Sequence, residues 1–407
     1  MSGEAPASHR RRLAAAGLAG GLLLGLAAWG EGRVPVLALA LPILVAFSRS
    51  RLQAFCVAAG YAIATARFGA SFIAAWFDHQ LAIGAAGVLA CGFLTGCVWA
   101  VGWTASGRLG ARALAITAAW LLALAAGIAV PGHPVIGAGY LFPGSGWIGV
   151  AIALTLPTMA MGAASSLATS ALRSVGLLGF VFLLAVAGVL LREGEPTAHA
   201  VRGIQPERTQ WGRLSGQDEA LERMQRMGAA AQGEQVASVV WPESIIGRFD
   251  PAMYPVLELE LLRGARRSGR TQVVGMDIPA PGERLFNAAV AFYPDGRTAI
   301  AIARQPAPLS LWKPWRHTAT FVADWTAHNM LSMGQGDRAA VIFCAEEYMP
   351  VLYLLNEALD APTVYLALTN TWAAQSPAAA AIQTWHSLGM ARLFGRPYLK
   401  AENRPPA

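Results

Sequence analysis

Lysine is almost missing from this 407-residue chain, with Lys313 and Lys400 the only two. Acid is missing from its first half: residues 1–192 carry Glu4, Glu31 and Asp78 against 11 arginines. Cysteine is scarce at four, which excludes a disulfide scaffold. Charge as a whole is thin at 14%, where a soluble domain usually carries about 25%. A uniform soluble globule is therefore excluded, and so is a disordered chain.

What is present is apolar. Hydrophobic residues make up 55% of the chain and the mean hydropathy is +0.43. Residues 1–192 carry a net +8 and residues 193–407 a net −1, which together give the overall +7. The basic balance thus belongs to the apolar half, where arginine clusters orient membrane helices. It is no footprint for nucleic acid, which needs a basic face on the soluble part. Three regions follow: a short cytoplasmic tail (1–12), a helical membrane region (13–192) and a soluble domain (193–407), long enough for its own core.

A span needs about 20 mostly apolar residues. The candidates are Leu13–Trp29, Val34–Phe47, Leu52–Phe77, Leu81–Trp103, Ala113–Val130, Trp147–Thr169 and Val175–Leu191. The second is short, and the third carries Arg67, read as snorkelling or facing the bundle interior. Arg10–Arg12, Arg49 and Arg51, Arg108 and Arg112, and Arg173 alternate onto one side, the cytoplasm by the positive-inside rule. Pro131–Gly146, rich in Gly and Pro, reads as a loop on the other side. Seven spans place everything after Arg192 outside the cytoplasm.

From Ala200 the pattern becomes short β-rich runs alternating with amphipathic stretches. Strands are expected over Val236–Trp241, Thr271–Ile278, Asn287–Tyr293, Thr298–Ala303, Ala339–Phe343 and Thr363–Leu368, with a hairpin turn at Pro294–Gly296. Helices are expected over Gly216–Ala231, Pro251–Arg267, Phe321–Met333, Glu347–Leu359 and Ala378–Phe394. This alternation argues for a layered α/β domain with buried strands.

Cys56, Cys91 and Cys97 fall in expected spans, so Cys344 is the one thiol of the soluble domain. It closes the strand Val341–Phe343 beside Glu346 and Glu347, which makes it a candidate nucleophile. The plainer reading is a buried structural cysteine. A second position of interest is Glu243, at the end of another strand run and behind Pro242, which cannot extend a ladder. Its plainer reading is an acid favouring the positive end of a helix.

Together these pieces resemble the nitrilase (carbon–nitrogen hydrolase) superfamily, and more closely the apolipoprotein N-acyltransferases, which join a bundle of membrane helices to a periplasmic nitrilase-like domain. Trp241-Pro242-Glu243-Ser244 matches that family's W-P-E-[ST]. Phe286-Asn287-Ala288 answers its Y-N-[ST], and Phe343-Cys344-Ala345-Glu346 its [IV]-C-Y-E. Asn370-Thr371-Trp372 answers N-D-x-W with one residue fewer, and Gly395–Asn403 answers the closing G-R-P-L-L-R-A-T-N. The fold so implied is a polytopic α-helical bundle followed by an α-β-β-α sandwich. The resemblance also has departures. The family's lysine falls at Ala303 or Arg304, its second Glu at Leu311, and the Tyr after the nucleophile is Ala345. The chain ends at Ala407 without a final apolar helix, a shortened form that resembles the TraB-type conjugal transfer proteins.

The resemblance implies a two-step acyl transfer with Cys344 as nucleophile and Glu243 as general base. Arg304 or Lys313 stands in for the lysine cation, with Asn287, Glu346 and Trp372 in support. It implies a phospholipid acyl donor, a lipoprotein or other amine acceptor, conjugation machinery as a possible partner, and no metal or cofactor. Tyr348, Met349 and Trp312 are candidates for the mouth of the site. A binding or assembly role for a catalytically impaired domain, and a membrane-tethered amidase, are the alternatives.

Overall fold

The computed structural model describes residues 7–30, 33–165, 170–191, 203–230, 236–334, 336–374 and 377–406. Glu4, Glu31, the side chain of Arg173 and the expected domain boundary at 192–193 lie outside the described residues. The chain forms two compact units. The first is Met1–Gly194 with Tyr348–Val351 and Ala381–Gly395; the second is Glu195–Glu347 with Leu352–Ala380 and Arg396–Ala407.

The first unit is helical: α1 (Ala7–Trp29), α2 (Ala40–Ala46), α3 (Arg51–Ala66), α4 (Gly69–Trp76), α5 (Leu81–Ala100), α6 (Leu109–Ala126), α7 (Pro134–Leu141), α8 (Gly146–Ser165) and α9 (Ser170–Leu190). In α1, Gly17, Gly21 and Gly25 recur every four residues and let α3 approach closely. A Cβ on Gly21 would collide with the Val57 carbonyl, and one on Gly25 with that of Tyr61. Small residues at this spacing are how helices pack where lipid removes the hydrophobic drive.

Among the described residues four helices are long and apolar enough to cross a membrane: Ser8–Trp29, Leu81–Ala100, Leu109–Ala129 and Gly146–Ser165. A fifth is counted if α3 and α4, bent by 64° at their junction, form one span. That junction is Arg67, whose guanidinium donates to the Ala64 carbonyl (2.7 Å) and the Trp29 carbonyl (3.2 Å). The expected span Val34–Phe47 is corrected. Its apolar helix is Pro35–Ala46, only about 18 Å long against a hydrocarbon core of about 30 Å. Pro35–Ile43 is buried throughout, so its apolarity serves protein packing. Pro131–Gly146, expected as a loop, contains the buried α7. The last expected span falls in α9, 21 residues long, whose stretch Val175–Leu190 is apolar.

Most of α14 (Pro377–Leu393) belongs to this helical unit. Trp29 donates to the Tyr61 hydroxyl (2.7 Å), which donates to the Gly132 carbonyl (2.6 Å). The Gly132 amide in turn donates to His386 of α14 (3.1 Å), whose ring stacks on Trp29 at 4.3 Å.

The second unit is a sandwich of two five-stranded sheets. One runs β1 (Ile204–Pro206), β3 (Ser238–Val240), β4 (Thr271–Ala280), β5 (Arg284–Phe292), β6 (Thr298–Ile302). The other runs β2 (Arg208–Thr209), β10 (Tyr398–Asn403), β9 (Val364–Asn370), β8 (Arg338–Phe343), β7 (Met330–Ser332). Strand alternation sorts the side chains. Val240, Val273, Ala289, Ala301 and Ala303 join Val341, Phe343, Leu366 and Leu399 in the core between the sheets. Val239, Trp241, Val274 and Met276 face outward into a second core with Met224 and Met227 of α10 (Gln217–Ala230) and Leu257 and Leu261 of the helical run Pro251–Ser268. That run comprises α11 (Tyr254–Leu257), a π turn and α12 (Arg263–Ser268). Outside the other sheet, Tyr353 of α13 (Pro350–Leu359) packs on Tyr365 at 4.9 Å. The layers are therefore α-β-β-α. The six expected strands and the Pro294–Gly296 hairpin are present. The expected helix Phe321–Met333 is corrected: this segment is extended chain ending in β7, which pairs antiparallel with β8.

Candidate active site

The candidate site forms where two parallel strands end. After β3 the chain runs Trp241-Pro242-Glu243-Ser244, and the Trp241 amide still bonds the Val273 carbonyl of β4. Pro242 offers no donor, so the ladder stops. Ser244 takes a left-handed backbone (φ 45°), and its hydroxyl donates to Asp277 at 2.6 Å. The turn lies against Gly275, where a Cβ would strike the Pro242 carbonyl and the Glu243 Cα. This packing turns Glu243 inward and leaves it 5% exposed.

Cys344 follows the last residue of β8 and opens a 3-10 turn through Tyr348. Its thiol hydrogen-bonds the Glu243 carboxylate and lies 4.0 Å from the Asn370 carbonyl. Asn287 on β5 donates to Glu243 Oε1 at 2.5 Å, and Asn370 donates to the Glu243 carbonyl at 3.1 Å. Asn370 is held by Asn403, which donates to its Oδ1 at 3.0 Å and to the Gly212 carbonyl at 2.8 Å. Burial pushes the Glu243 carboxyl up to about 8. The charges of Asp277 and Glu346 push the same way, against the bonds from Asn287 and Cys344. At neutral pH Glu243 is therefore largely protonated, poised within a unit or so of giving up its proton.

The structure brings Glu243, Asn287 and Cys344 together, and Glu346 beneath them. Glu346 is buried and accepts from the Gln305 amide (2.8 Å) and the Phe343 amide (2.9 Å), tying the Cys344 turn to the segment after β6. Burial pushes Glu346 up to about 7. The side-chain bonds of Arg304 go elsewhere, though its charge lowers the neighbouring Glu346 carboxyl. Its guanidinium donates to the Ala327 carbonyl (3.1 Å) and to Asn356 Oδ1 on α13 (2.5 Å). The inward residue at this place is Ala303, fully buried in the core between the sheets. Trp372 is half-buried, with the Arg213 guanidinium 5.2 Å from its ring. Tyr348 and Met349 belong to the helical unit, and Trp312 lines a cavity of the second unit. Among the described residues no cluster of three His, Cys, Asp or Glu side chains could hold a metal.

Sequence reasoning missed Asp277, Asn356 and the support of Asn370 by Asn403. Asp277 follows a strand-interior glycine, Gly275, which is itself a signal of close backbone approach. Asn356 carries no signal on its helix.

Two sheets back to back, with a cysteine and a glutamate on strand ends, give the α-β-β-α arrangement that the resemblance to the nitrilase (carbon–nitrogen hydrolase) superfamily implies, here preceded by apolar helices. No protein-family model matches the chain. A carbon–nitrogen hydrolase superfamily protein from Xanthomonas campestris is similar in structure, at 16% identity and a TM-score of 0.37, over 49% of this chain and 75% of its own. A carbon–nitrogen hydrolase from Helicobacter pylori is similar at 11% identity and a TM-score of 0.37, over 49% of this chain and 72% of its own. The conjugal transfer protein TraB of Agrobacterium fabrum is 30% identical over 94% of this chain and 91% of its own length. A "Probable conjugal transfer protein TraB" of Sinorhizobium fredii is 27% identical over 94% and 96%. The chain belongs to the TraB family of conjugal transfer proteins.

Proposed function

We propose that this chain is a membrane-bound, nitrilase-fold acyltransferase acting in conjugal transfer. The observation that carries the reading is the hydrogen bond between Cys344 and a buried glutamate whose carboxyl titrates near neutrality. Deprotonated Glu243 takes the thiol proton as Cys344 attacks the carbonyl carbon of a phospholipid ester. The sulfur–carbon bond forms, the ester carbon–oxygen bond breaks, and Glu243 returns the proton to the leaving alkoxide. An amine then attacks the thioester and loses a proton, the amide forms, and the thiol is regenerated. Asn287 holds the carboxylate in line, and Glu346 fixes the turn that carries Cys344.

The test is intact-mass spectrometry of the purified full chain after incubation with phospholipid, wild type beside Cys344→Ser. The expected result is an acyl-sized, hydroxylamine-sensitive mass gain in wild type alone. No gain in a folded protein, or equal gains in both, would overturn the reading. A second reading, a catalytically impaired domain that binds an envelope or conjugation partner, is favoured by Ala303 at the lysine's place and by the bonds of Arg304 to Ala327 and Asn356.

For localisation we infer a bacterial inner-membrane protein with a cytoplasmic N-terminus and a periplasmic second unit. Five spans, with the bent pair as one, give the odd count this needs. A periplasmic reporter fused after Ala407 should be active and a cytoplasmic one silent; the reverse result would reject the inferred topology.

A further inference from the structure

Away from the Cys344 pair, the second unit holds a cavity of about 440 Å³. Its wall includes four basic side chains, Arg284, Lys313, Arg316 and His317, beside Trp312 and Phe321. None of the four pairs with a carboxylate among the described residues. Elsewhere in this unit, whose sequence is close to neutral overall, Arg223, Arg226, Arg297, Arg396, Lys400 and Arg404 are ion-paired.

The cations are set on rigid supports. Arg284 opens β5, and its Nε donates to the Pro281 carbonyl at 3.0 Å, which fixes the guanidinium. Lys313-Pro314-Trp315-Arg316 is a tight turn closed by the Arg316 amide on the Lys313 carbonyl (2.9 Å), with proline where a turn favours it. The floor joins the two. Leu285 pairs with Phe321, the Leu285 amide bonds the Thr320 carbonyl (3.0 Å), and the Lys313 amide bonds Thr320 Oγ1 (2.8 Å). Beside the cavity, Trp315 is 62% and Leu309 55% exposed.

We propose that this cavity binds the phosphate of an anionic lipid headgroup. A fixed guanidinium and an ammonium supply charge-assisted hydrogen bonds to phosphate oxygens. Exposed tryptophan and leucine beside lysine and arginine are the side chains that settle at a bilayer interface. A nucleic-acid phosphate is disfavoured because the basic residues fill one cavity instead of tracking a groove, and because the chain carries helices apolar enough for a membrane. The inference concerns binding and does not depend on chemistry at Cys344.

The experiment uses the full chain carrying Cys344→Ser, so that acyl transfer cannot consume the ligand. Native mass spectrometry in a neutral detergent follows retention of phosphatidylglycerol against phosphatidylcholine. Phosphatidylglycerol should be retained preferentially. Arg284→Gln with Lys313→Gln should weaken retention at least tenfold, one charge-assisted bond being worth about that much. With Arg284 intact, Lys313→Arg should keep most of the retention that Lys313→Gln loses, which separates lost charge from lost folding. Displacement by millimolar glycerol phosphate would show that the phosphate alone is held; retention despite it would show that the acyl chains contribute. Equal retention in the double glutamine variant would overturn the proposal, and so would tighter binding of a single-stranded oligonucleotide through the same residues.

Discussion

Two buried acidic clusters lie in the second unit, and they have been treated in opposite ways. Around Lys400, Glu347 is 3.2 Å and Glu402 3.9 Å from the ammonium, Tyr398 and Thr369 donate to Glu347, and Arg404 bonds Glu402 at 2.7 Å. Burial alone would raise the Glu402 carboxyl, yet Lys400 and Arg404 together hold it below its ordinary value. Around Cys344, Glu243 has an amide and a thiol for partners and, among the described residues, no paired cation, and its carboxyl rises to about 8. A paired acid is locked in one charge state and serves the fold. An acid left without a cation can change charge near neutrality, which is what proton transfer needs. One of the chain's two lysines has gone to the first cluster and the other to the basic cavity.

Replacing the uncompensated acid should produce the largest effect. Glu243→Gln keeps the shape and the Asn287 contact but removes the base, and thioester formation should fall by about 10²–10⁴-fold. Wild-type acylation should rise with pH through about 8, where Glu243 loses its proton, and that rise should vanish in the variant. Stability should move the other way. The folded carboxyl titrates above its unfolded value, so its contribution is full below about pH 4.5 and is lost as pH rises through about 8. Thermal unfolding followed between pH 5 and 9 checks the sign: the alkaline fall should be shallower in Glu243→Gln.

Removing the cation from the compensated cluster should cost almost as much, but in stability. Lys400→Met leaves Glu347 and Glu402 buried against one another, a loss of about 3–5 kcal/mol for a broken buried pair. A large drop in the unfolding midpoint is expected, and Lys400→Met with Glu347→Gln should recover part of it. No drop would mean that the two clusters are not different in kind. The smallest effect is expected for Arg304→Ala, which removes the buried bonds to Ala327 and Asn356 and should cost about 1–3 kcal/mol. Thioester formation per folded molecule should stay within a few-fold of wild type. A fall comparable to that of Glu243→Gln would make Arg304 the missing cation after all.

Much of the second unit was legible because its signals are local. Strand alternation placed the six strands, Pro294–Gly296 the hairpin, and the motifs around Glu243, Asn287 and Cys344 pointed to the residues that the structure brings together as a candidate site. The failures have physical causes. Phe321–Met333 has helical apolar spacing, but β8 presents an edge that β7 completes, and sheet pairing overrides local pattern. Val34–Phe47 and the region of α7 are apolar because protein covers them, and hydropathy cannot tell burial in protein from burial in lipid. Arg304 and Ala303 are neighbours on a strand, so one residue decides which points into the core between the sheets.

The helical unit is assembled from residues far apart in the chain. His386 and Trp385 are made long after Trp29 and Tyr140, the residues they stack on. During synthesis the early helices must therefore wait, with the Gly132 amide unserved, until the ribosome has passed residue 395. Contacts of such long sequence separation form slowly and leave apolar surface open meanwhile. It follows that no single cut can divide this protein into a helical half and a sandwich half. A fragment ending near residue 194 would lack part of its own interior, and one beginning there would carry a helix built for a unit it no longer has.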